Sequence, residues 1–215
     1  MNQLLVKSGI ELTRRQLEQL WRFHNLIRNR NHDRELTRII GFENVIIKHY
    51  VDCMTVGDLF ELPSPLMDLG SGAGFPGIPL KIRYPRLKII LAEPRPKRIK
   101  FLNEAIEKVE LDQTEVFEHK VVSRSFTQPV AGVISRAVEE IEKTILRTSG
   151  CMQKGGLLIF MKGPNADEEL AVALNRFGKD YVIHFDKAYT LRHTPHQRRL
   201  IVLRRVSEKT SEVFR

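Results

Sequence analysis

Apolar residues recur at helical spacing through residues 11–30, where Leu17, Leu20, Trp21, Phe23, Leu26 and Ile27 mark one face. Arg14, Arg15, Arg22, Arg28 and Arg30 occupy the other. Thr13 stands where a helix needs a side-chain acceptor for its first free N–H groups. The run Asn31-His32-Asp33-Arg34-Glu35 ends the pattern, and Leu36–Ile40 is a short apolar stretch closed by Gly41. A second helix is predicted over about 42–60, with Val45, Ile46, Tyr50, Met54 and Leu59 as its buried stripe. After Pro63 and Pro65 the pattern changes. Short apolar runs at 66–69, 88–93, 114–117, 132–135 and 157–162 predict strands, and amphipathic segments to about 83, over 96–109, 138–149 and 166–177 predict helices. Two further extended runs, 181–189 and 200–205, are joined by the polar loop 193–199 with no helix between, so they must pair antiparallel. The sequence thus predicts an α/β chain with three parts. These are a helical extension (1–62), a core (63–206) holding a mostly parallel seven-stranded sheet with an antiparallel C-terminal hairpin, and a tail (207–215).

The chemistry concentrates after the first strand, in Leu66-Met67-Asp68-Leu69-Gly70-Ser71-Gly72-Ala73-Gly74-Phe75-Pro76-Gly77-Ile78-Pro79-Leu80. Four glycines in eight residues let a backbone turn tightly and approach a ligand. The unpaired N–H groups of the following helix suit a polar group, and Pro76 and Pro79 fit its first turn. Two cofactors compete. Gly72-x-Gly74-x-x-Gly77 with Glu93 beyond it satisfies a dinucleotide pattern. Asp68-x-Gly70-x-Gly72-x-Gly74 resembles the first motif of S-adenosylmethionine (SAM) methyltransferases, whose acid stands near the methionine end of the cofactor. The terminal hairpin favours SAM, because a dinucleotide fold continues its βα alternation into a second half.

Charge extends the picture toward a polyanion. The net charge is +9, concentrated in residues 1–50, 81–100 and 187–215. No apolar run approaches the ~18 residues of a membrane span, and the N-terminus carries no signal-peptide core, so the expected location is the cytoplasm. Cys53 and Cys151 lie far apart, and His184, His193 and His196 cluster without a carboxylate or cysteine partner, so no metal site is expected.

Ligands of open α/β sheets sit where strands end. Strand two ends at Glu93, which could accept hydrogen bonds from ribose hydroxyls or pair with Arg95, Lys97 or Arg98. Strand three leads to His119-Lys120-Val121-Val122, suited to adenine. Strand four ends at Arg136 and strand five at Lys162-Gly163. Arg136 is placed to orient an acceptor base, a phosphate or the cofactor carboxylate, or else to pair with Glu139 or Glu140. The loop Ser135-Arg136-Ala137-Val138 lacks the Asn/Asp-Pro-Pro-aromatic motif of adenine-N6 methylation, and no cysteine is placed for pyrimidine-C5 attack. Guanine N7 needs neither device, since its lone pair is free and positioning alone accelerates transfer.

The chain resembles the bacterial 16S ribosomal RNA guanine-N7 methyltransferases, once named glucose-inhibited division protein B. The likeness is carried by Leu36-Thr37, His49-Tyr50-Val51-Asp52, the glycine stretch Asp68–Pro79, Lys97-Arg98-Ile99-Lys100-Phe101-Leu102, Val133-Ile134-Ser135-Arg136-Ala137, Lys162-Gly163 and Arg198-Arg199-Leu200-Ile201-Val202. It departs at Glu35, Glu93-Pro94, Val122-Ser123 and Ala131. The resemblance implies SAM as cofactor and a guanine in the 530 loop of the small-subunit RNA as target. It implies cofactor contacts from Gly70, Phe75, Val121 and Val122, with Arg136 beside the cofactor and Lys162 in the place of a family lysine; the residue reading adds Asp68, Ser71, Gly72, Gly74 and Glu93 as expected cofactor contacts, and Arg136 and Lys162 are the expected catalytic residues. Lys120, Arg95, Lys97, Arg98, Arg198 and Arg199 are the expected RNA contacts, and a monomer is the expected state. Other readings of the same residues are a small-molecule SAM methyltransferase, an RNA-binding protein with a vestigial cofactor fold and a dinucleotide oxidoreductase.

Overall fold

The computed structural model describes residues 1–31, 36–39, 41–125, 128–136 and 138–208. Glu35, Ala137 and most of the tail (209–215) lie outside the described residues. The first elements are α1 (Asn2–Lys7), α2 (Arg14–Arg30), α3 (Phe42–Val45) and α4 (Asp52–Leu59). The short α1 was not legible in the hydropathy pattern. Thr13 caps α2 as a reciprocal pair with Gln16: the Gln16 N–H donates to Thr13 Oγ1 at 3.3 Å, and the Thr13 N–H donates to Gln16 Oε1 at 2.8 Å. The helix expected over 42–60 is continuous but widens to a π-type stretch at Ile46–Val51, an irregularity that often marks functional positions. Trp21, expected in the apolar face of α2, is 46% exposed. Buried His24 takes a core position instead, with its Nδ1 3.1 Å from the Tyr50 hydroxyl.

The core then alternates: β1 (Leu66–Leu69), α5 (Gly77–Arg83), β2 (Ile89–Ala92), α6 (Pro96–Val109), β3 (Thr114–Phe117), β4 (Val130–Arg136), α7 (Ile141–Thr148), β5 (Met152–Lys162), α8 (Asp167–Phe177), β6 (Tyr181–Thr190) and β7 (Gln197–Arg205). The sheet runs β3-β2-β1-β4-β5-β7-β6. The first five strands are mutually parallel, and β7 is antiparallel to both β5 and β6. The predicted fold class is therefore the observed one. Successive strand residues feed opposite faces. Leu66, Ile134 and Ile159 join Leu20, Phe23, Tyr50 and Ile78 on one side, while Met67, Val133 and Leu158 join Ile145, Leu170 and Phe177 on the other. The N-terminal helices thus share the sheet's own core. The chain winds outward from β1 to β3, then crosses back to place β4 on the other flank of β1. That reversal opens a crevice beyond the carboxyl ends of β1 and β4.

Candidate active site

A cleft of about 660 Å³ occupies this crevice, within the size range of small-molecule sites. Its floor is the glycine loop, Gly70–Ala73 with Phe75. One wall comes from Arg38, Ile39, Lys48, His49 and Asp52, and the other from Arg136, Lys162 and Arg198, with Arg98 at the rim. A second cavity of about 650 Å³ lies around the amino ends of β2, β3 and β4, near Lys88, Gln113 and Pro129. It holds none of the glycine loop or strand-end residues and plays no part below.

The loop is held from beneath. Asp68 has no accessible surface, and its Oδ2 accepts the Gly77 N–H at 2.9 Å. Ser71 Oγ donates to the Asp68 carbonyl at 2.9 Å. Gly77 must be glycine, because a Cβ there would lie 2.4 Å from Leu91 and 2.7 Å from Asp68 Oδ2. Gly72 differs: its φ is +59°, and a Cβ there would meet nothing nearer than Arg98 at 3.5 Å. The space over Gly72 is therefore open, and bare backbone faces it. Glu93, at the end of β2, accepts the Gly72 N–H at 3.0 Å and the Arg95 N–H at 3.1 Å, with Arg98 Nη1 3.5 Å away.

Burial pushes the Asp68 carboxyl up to about 7, from about 3.9 for an exposed aspartate. Its Oδ1 has no hydrogen-bond partner, which further disfavours the charged form. A folded-state pKa raised in this way stabilises the chain most below the unfolded value. The contribution is then lost as pH rises through the window from about 4 to about 7. We expect wild-type stability to fall relative to that of Asp68→Asn across this window. Urea unfolding of both proteins at several pH values checks it. A difference independent of pH would mean that Asp68 is already ionised.

Arg136 is the best-held charge in the cleft. Its Nη2 lies 2.8 Å from His49 Nδ1, and its Nη1 lies 3.2 Å from the Lys48 carbonyl and 3.5 Å from Asp52 Oδ2. Its guanidinium sits 5.4 Å from the centroid of Phe75, on which His49 stacks at 4.2 Å. Arginine has only donors, so His49 Nδ1 accepts. Its proton then rests on Nε2, which faces Thr37 Oγ1 at 2.9 Å. Burial and the Arg136 charge lower the His49 pKa to about 3, so the ring is neutral. Asp52, 3% exposed, gives its other oxygen to Arg198 Nε at 3.1 Å. One carboxylate from α4 thus bridges the end of β4 and the start of β7. Burial raises its pKa, and the two guanidiniums oppose that rise.

The structure sorts the expected site residues. Gly70, Ser71, Gly72, Phe75, Arg98, Arg136, Lys162 and Arg198 meet in the cleft. Arg136 pairs with Asp52 rather than with Glu139 or Glu140. Lys162 Nζ binds Glu169 Oε1 at 2.5 Å and the Glu139 carbonyl at 2.9 Å, which ties the segment after β4 to α8. Asp68 acts on the loop, not on the cleft, because nothing can reach its buried carboxylate. Gly74 and Glu93 support the floor without lining it. Val121 is buried in the core and Val122 is 52% exposed with its N–H bonded to Ser125 Oγ, and neither lines the cleft. Arg199 is a correction. Adjacent strand residues point to opposite faces, so while Arg198 turns to Asp52, Arg199 turns away to Asp186 and Asp167, at 2.7 Å each. Arg95 and Lys120 are exposed and do not line the cleft, and Lys97 shares a smaller cavity with Arg30, Arg98 and Lys100. Among the described residues no group of three His, Cys, Asp or Glu side chains could hold a metal, and no helix is long and apolar enough to cross a membrane.

Sequence reasoning missed Thr37, His49 and Asp52 as a set. They appeared only within Leu36-Thr37 and His49-Tyr50-Val51-Asp52, stretches that carry the family likeness, with no role assigned to them.

A family model for rRNA small subunit methyltransferase G (GidB) matches residues 16–201. Ribosomal RNA small subunit methyltransferase G 2 of Syntrophobacter fumaroxidans is 48% identical over 210 residues, which cover 98% of this chain and 42% of that protein. The chain therefore spans less than half of that relative. Its namesake from Bdellovibrio bacteriovorus is 36% identical, with coverage of 89% and 74%, and the methyltransferase G of Lachnoclostridium phytofermentans is 34% identical, with coverage of 93% and 86%. Solved structures show the same fold at low identity. M. jannaschii TYW2 in complex with AdoMet aligns with a TM-score of 0.55 at 15% identity, covering 78% of each chain. The ribosomal protein L11 methylase of Lactobacillus delbrueckii subsp. bulgaricus aligns at 0.57 and 10% identity, covering 78% and 81%. With a model match that runs from α2 into β7 and takes in the whole cleft, this chain belongs to the rRNA small subunit methyltransferase G family.

Proposed function

We propose that this chain transfers a methyl group from SAM to N7 of a guanine in 16S ribosomal RNA, and that it does so as a cytoplasmic monomer. The observation that carries the reading is a cationic cleft with no free base. His49 accepts from Arg136 on one ring nitrogen and faces Thr37 with the other. Both Asp52 oxygens face guanidinium groups. Among the described lining residues there is no other carboxylate or imidazole. An acceptor that must lose a proton before attack is poorly served there. Guanine N7 attacks through an in-plane lone pair that carries no proton, so the protein needs only to align it.

The cleft fits the cofactor on two counts. The open backbone over Gly72 admits close approach, and the volume of about 660 Å³ suits a small molecule. Bound SAM supplies an electrophilic methyl on a sulfonium. The residues of the chain do the rest. Gly70–Ala73 with Phe75 forms the seat. Arg136 is held rigidly by Asp52 and His49, and it orients either the guanine through O6 or the cofactor carboxylate. A contact to both O6 and N7 would block the nucleophile. Arg98, Lys48 and Arg198 surround the mouth with positive charge for the RNA backbone.

Incubating the purified chain with SAM and small ribosomal subunits, then mapping modified nucleotides by mass, tests this. The expected product is 7-methylguanosine at one position. Arg198→Ala should weaken RNA binding and lower its salt dependence, while Arg199→Ala, on the far face, should cost stability alone. Unmodified RNA after incubation would overturn the assignment.

A further inference from the structure

We propose that Trp21 and Phe42 form a platform on which an unpaired base of the substrate RNA stacks, beside the cleft; this deepens the RNA-methyltransferase reading and rests on it. The starting observation is that helical spacing puts Trp21 in the core, yet it is 46% exposed and its neighbour Phe42 is 42% exposed. Both rings are pre-set. Trp21 stacks on His24 with centroids 5.7 Å apart and planes 21° from parallel. Phe42 sets its edge against both, at 6.3 Å and 5.3 Å.

The platform is tied to the cleft through a column of rings. Buried His24 meets the Tyr50 hydroxyl at 3.1 Å, and Tyr50 packs 5.9 Å from Phe75, the ring beneath Arg136. Phe42 follows Ile39, a cleft-wall residue, by three positions, so they stand at most about 11 Å apart. A base on Trp21 would therefore lie close to one in the cleft. The surroundings favour a nucleic acid over an apolar protein face. Arg28 lies one turn beyond His24 on the helix that carries Trp21, and Arg38 and Lys48 line the cleft. None of the three forms an ion pair among the described residues. Exposed aromatic faces near cations are what single-stranded RNA recognises: bases stack on the rings and phosphates meet the charges.

Trp21 is the only tryptophan in the chain, so its fluorescence reports on the platform directly. Titration with a 12-nucleotide single-stranded RNA should quench it saturably, and the same sequence as a duplex should quench it far less. Trp21→Ala should raise the Kd for the single strand about tenfold, and Trp21→Phe should restore most of the loss. The slope of log Kd against log salt should not change, because no cation is removed. Phe42→Ala gives an independent test if Trp21→Ala folds poorly. Two outcomes would overturn the platform: emission indifferent to RNA together with unchanged affinity in both alanine variants, or an emission change that follows protein concentration without RNA and so marks a second copy as the occupant. Methyl transfer by the wild type is measured in parallel. If it is intact while the platform tests fail, the platform alone is wrong; if it is absent, the enzymatic reading fails first.

Discussion

Arg136→Ala is expected to cut single-turnover methyl transfer into small-subunit RNA by about two to three orders of magnitude, with the chain still folded. That corresponds to about 3–4 kcal/mol of transition-state stabilisation, the usual loss when one fixed donor leaves a water-poor site. The structure explains why turnover suffers more than stability. Removing the guanidinium leaves Asp52 with Arg198 at 3.1 Å, so the buried carboxylate keeps a partner. The cost should therefore fall below the ~3–5 kcal/mol of a stripped buried charge. Arg136→Lys should recover little, because one ammonium cannot reach His49, the Lys48 carbonyl and Asp52 together from the place where a flat guanidinium does. Asp52→Asn should reverse the balance, since it leaves both arginines without their shared anion and lowers the melting midpoint more than Arg136→Ala does. Rapid-quench turnover and thermal unfolding of the three variants separate these effects. Turnover of Arg136→Ala within threefold of wild type would remove Arg136 from the reacting centre.

Gly72→Val should abolish measurable SAM binding, a loss of at least a hundredfold in affinity by calorimetry, while the protein still folds. The two halves of this expectation have different causes. In the free chain a Cβ at residue 72 finds room, with nothing nearer than 3.5 Å. The folding cost is then that of a β-branched residue at φ +59°, about 1–3 kcal/mol. In the complex, that side chain would stand in the open space over the loop where bare backbone now faces the cleft. Gly77→Val is the contrasting control. Its side chain would meet Leu91 and the Asp68 carboxylate, so it should unfold the loop and lose binding and stability together. Wild-type affinity in Gly72→Val would place the cofactor elsewhere.

The sheet was legible because its signals are local. Short apolar runs, glycine and proline turns and amphipathic helices each mark their own segment, and a hairpin with no intervening helix settles the antiparallel end. The glycine loop and Arg136 were legible for the same reason: both sit where strands stop. What sequence could not show is which charges cancel. Arg198 and Arg199 read as one basic motif, and strand alternation turns one to the cleft and the other to Asp186. His49 and Asp52 are separated from Arg136 by more than 80 residues, so no spacing rule joins them. Trp21 failed differently. Helical periodicity marks a face but not its edge, and His24, satisfied by Tyr50, took the interior place.

The Asp52 bridge carries a consequence for the architecture as a whole. Its oxygens join a residue near the chain's beginning to one at its middle and one near its end. Trimmed to the sheet and the helices that follow β1, the chain would keep two like charges aimed at a space from which their common counter-ion had been cut. The N-terminal helices are thus no detachable ornament: the electrostatic balance of the crevice is completed only when both ends of the polypeptide are in place.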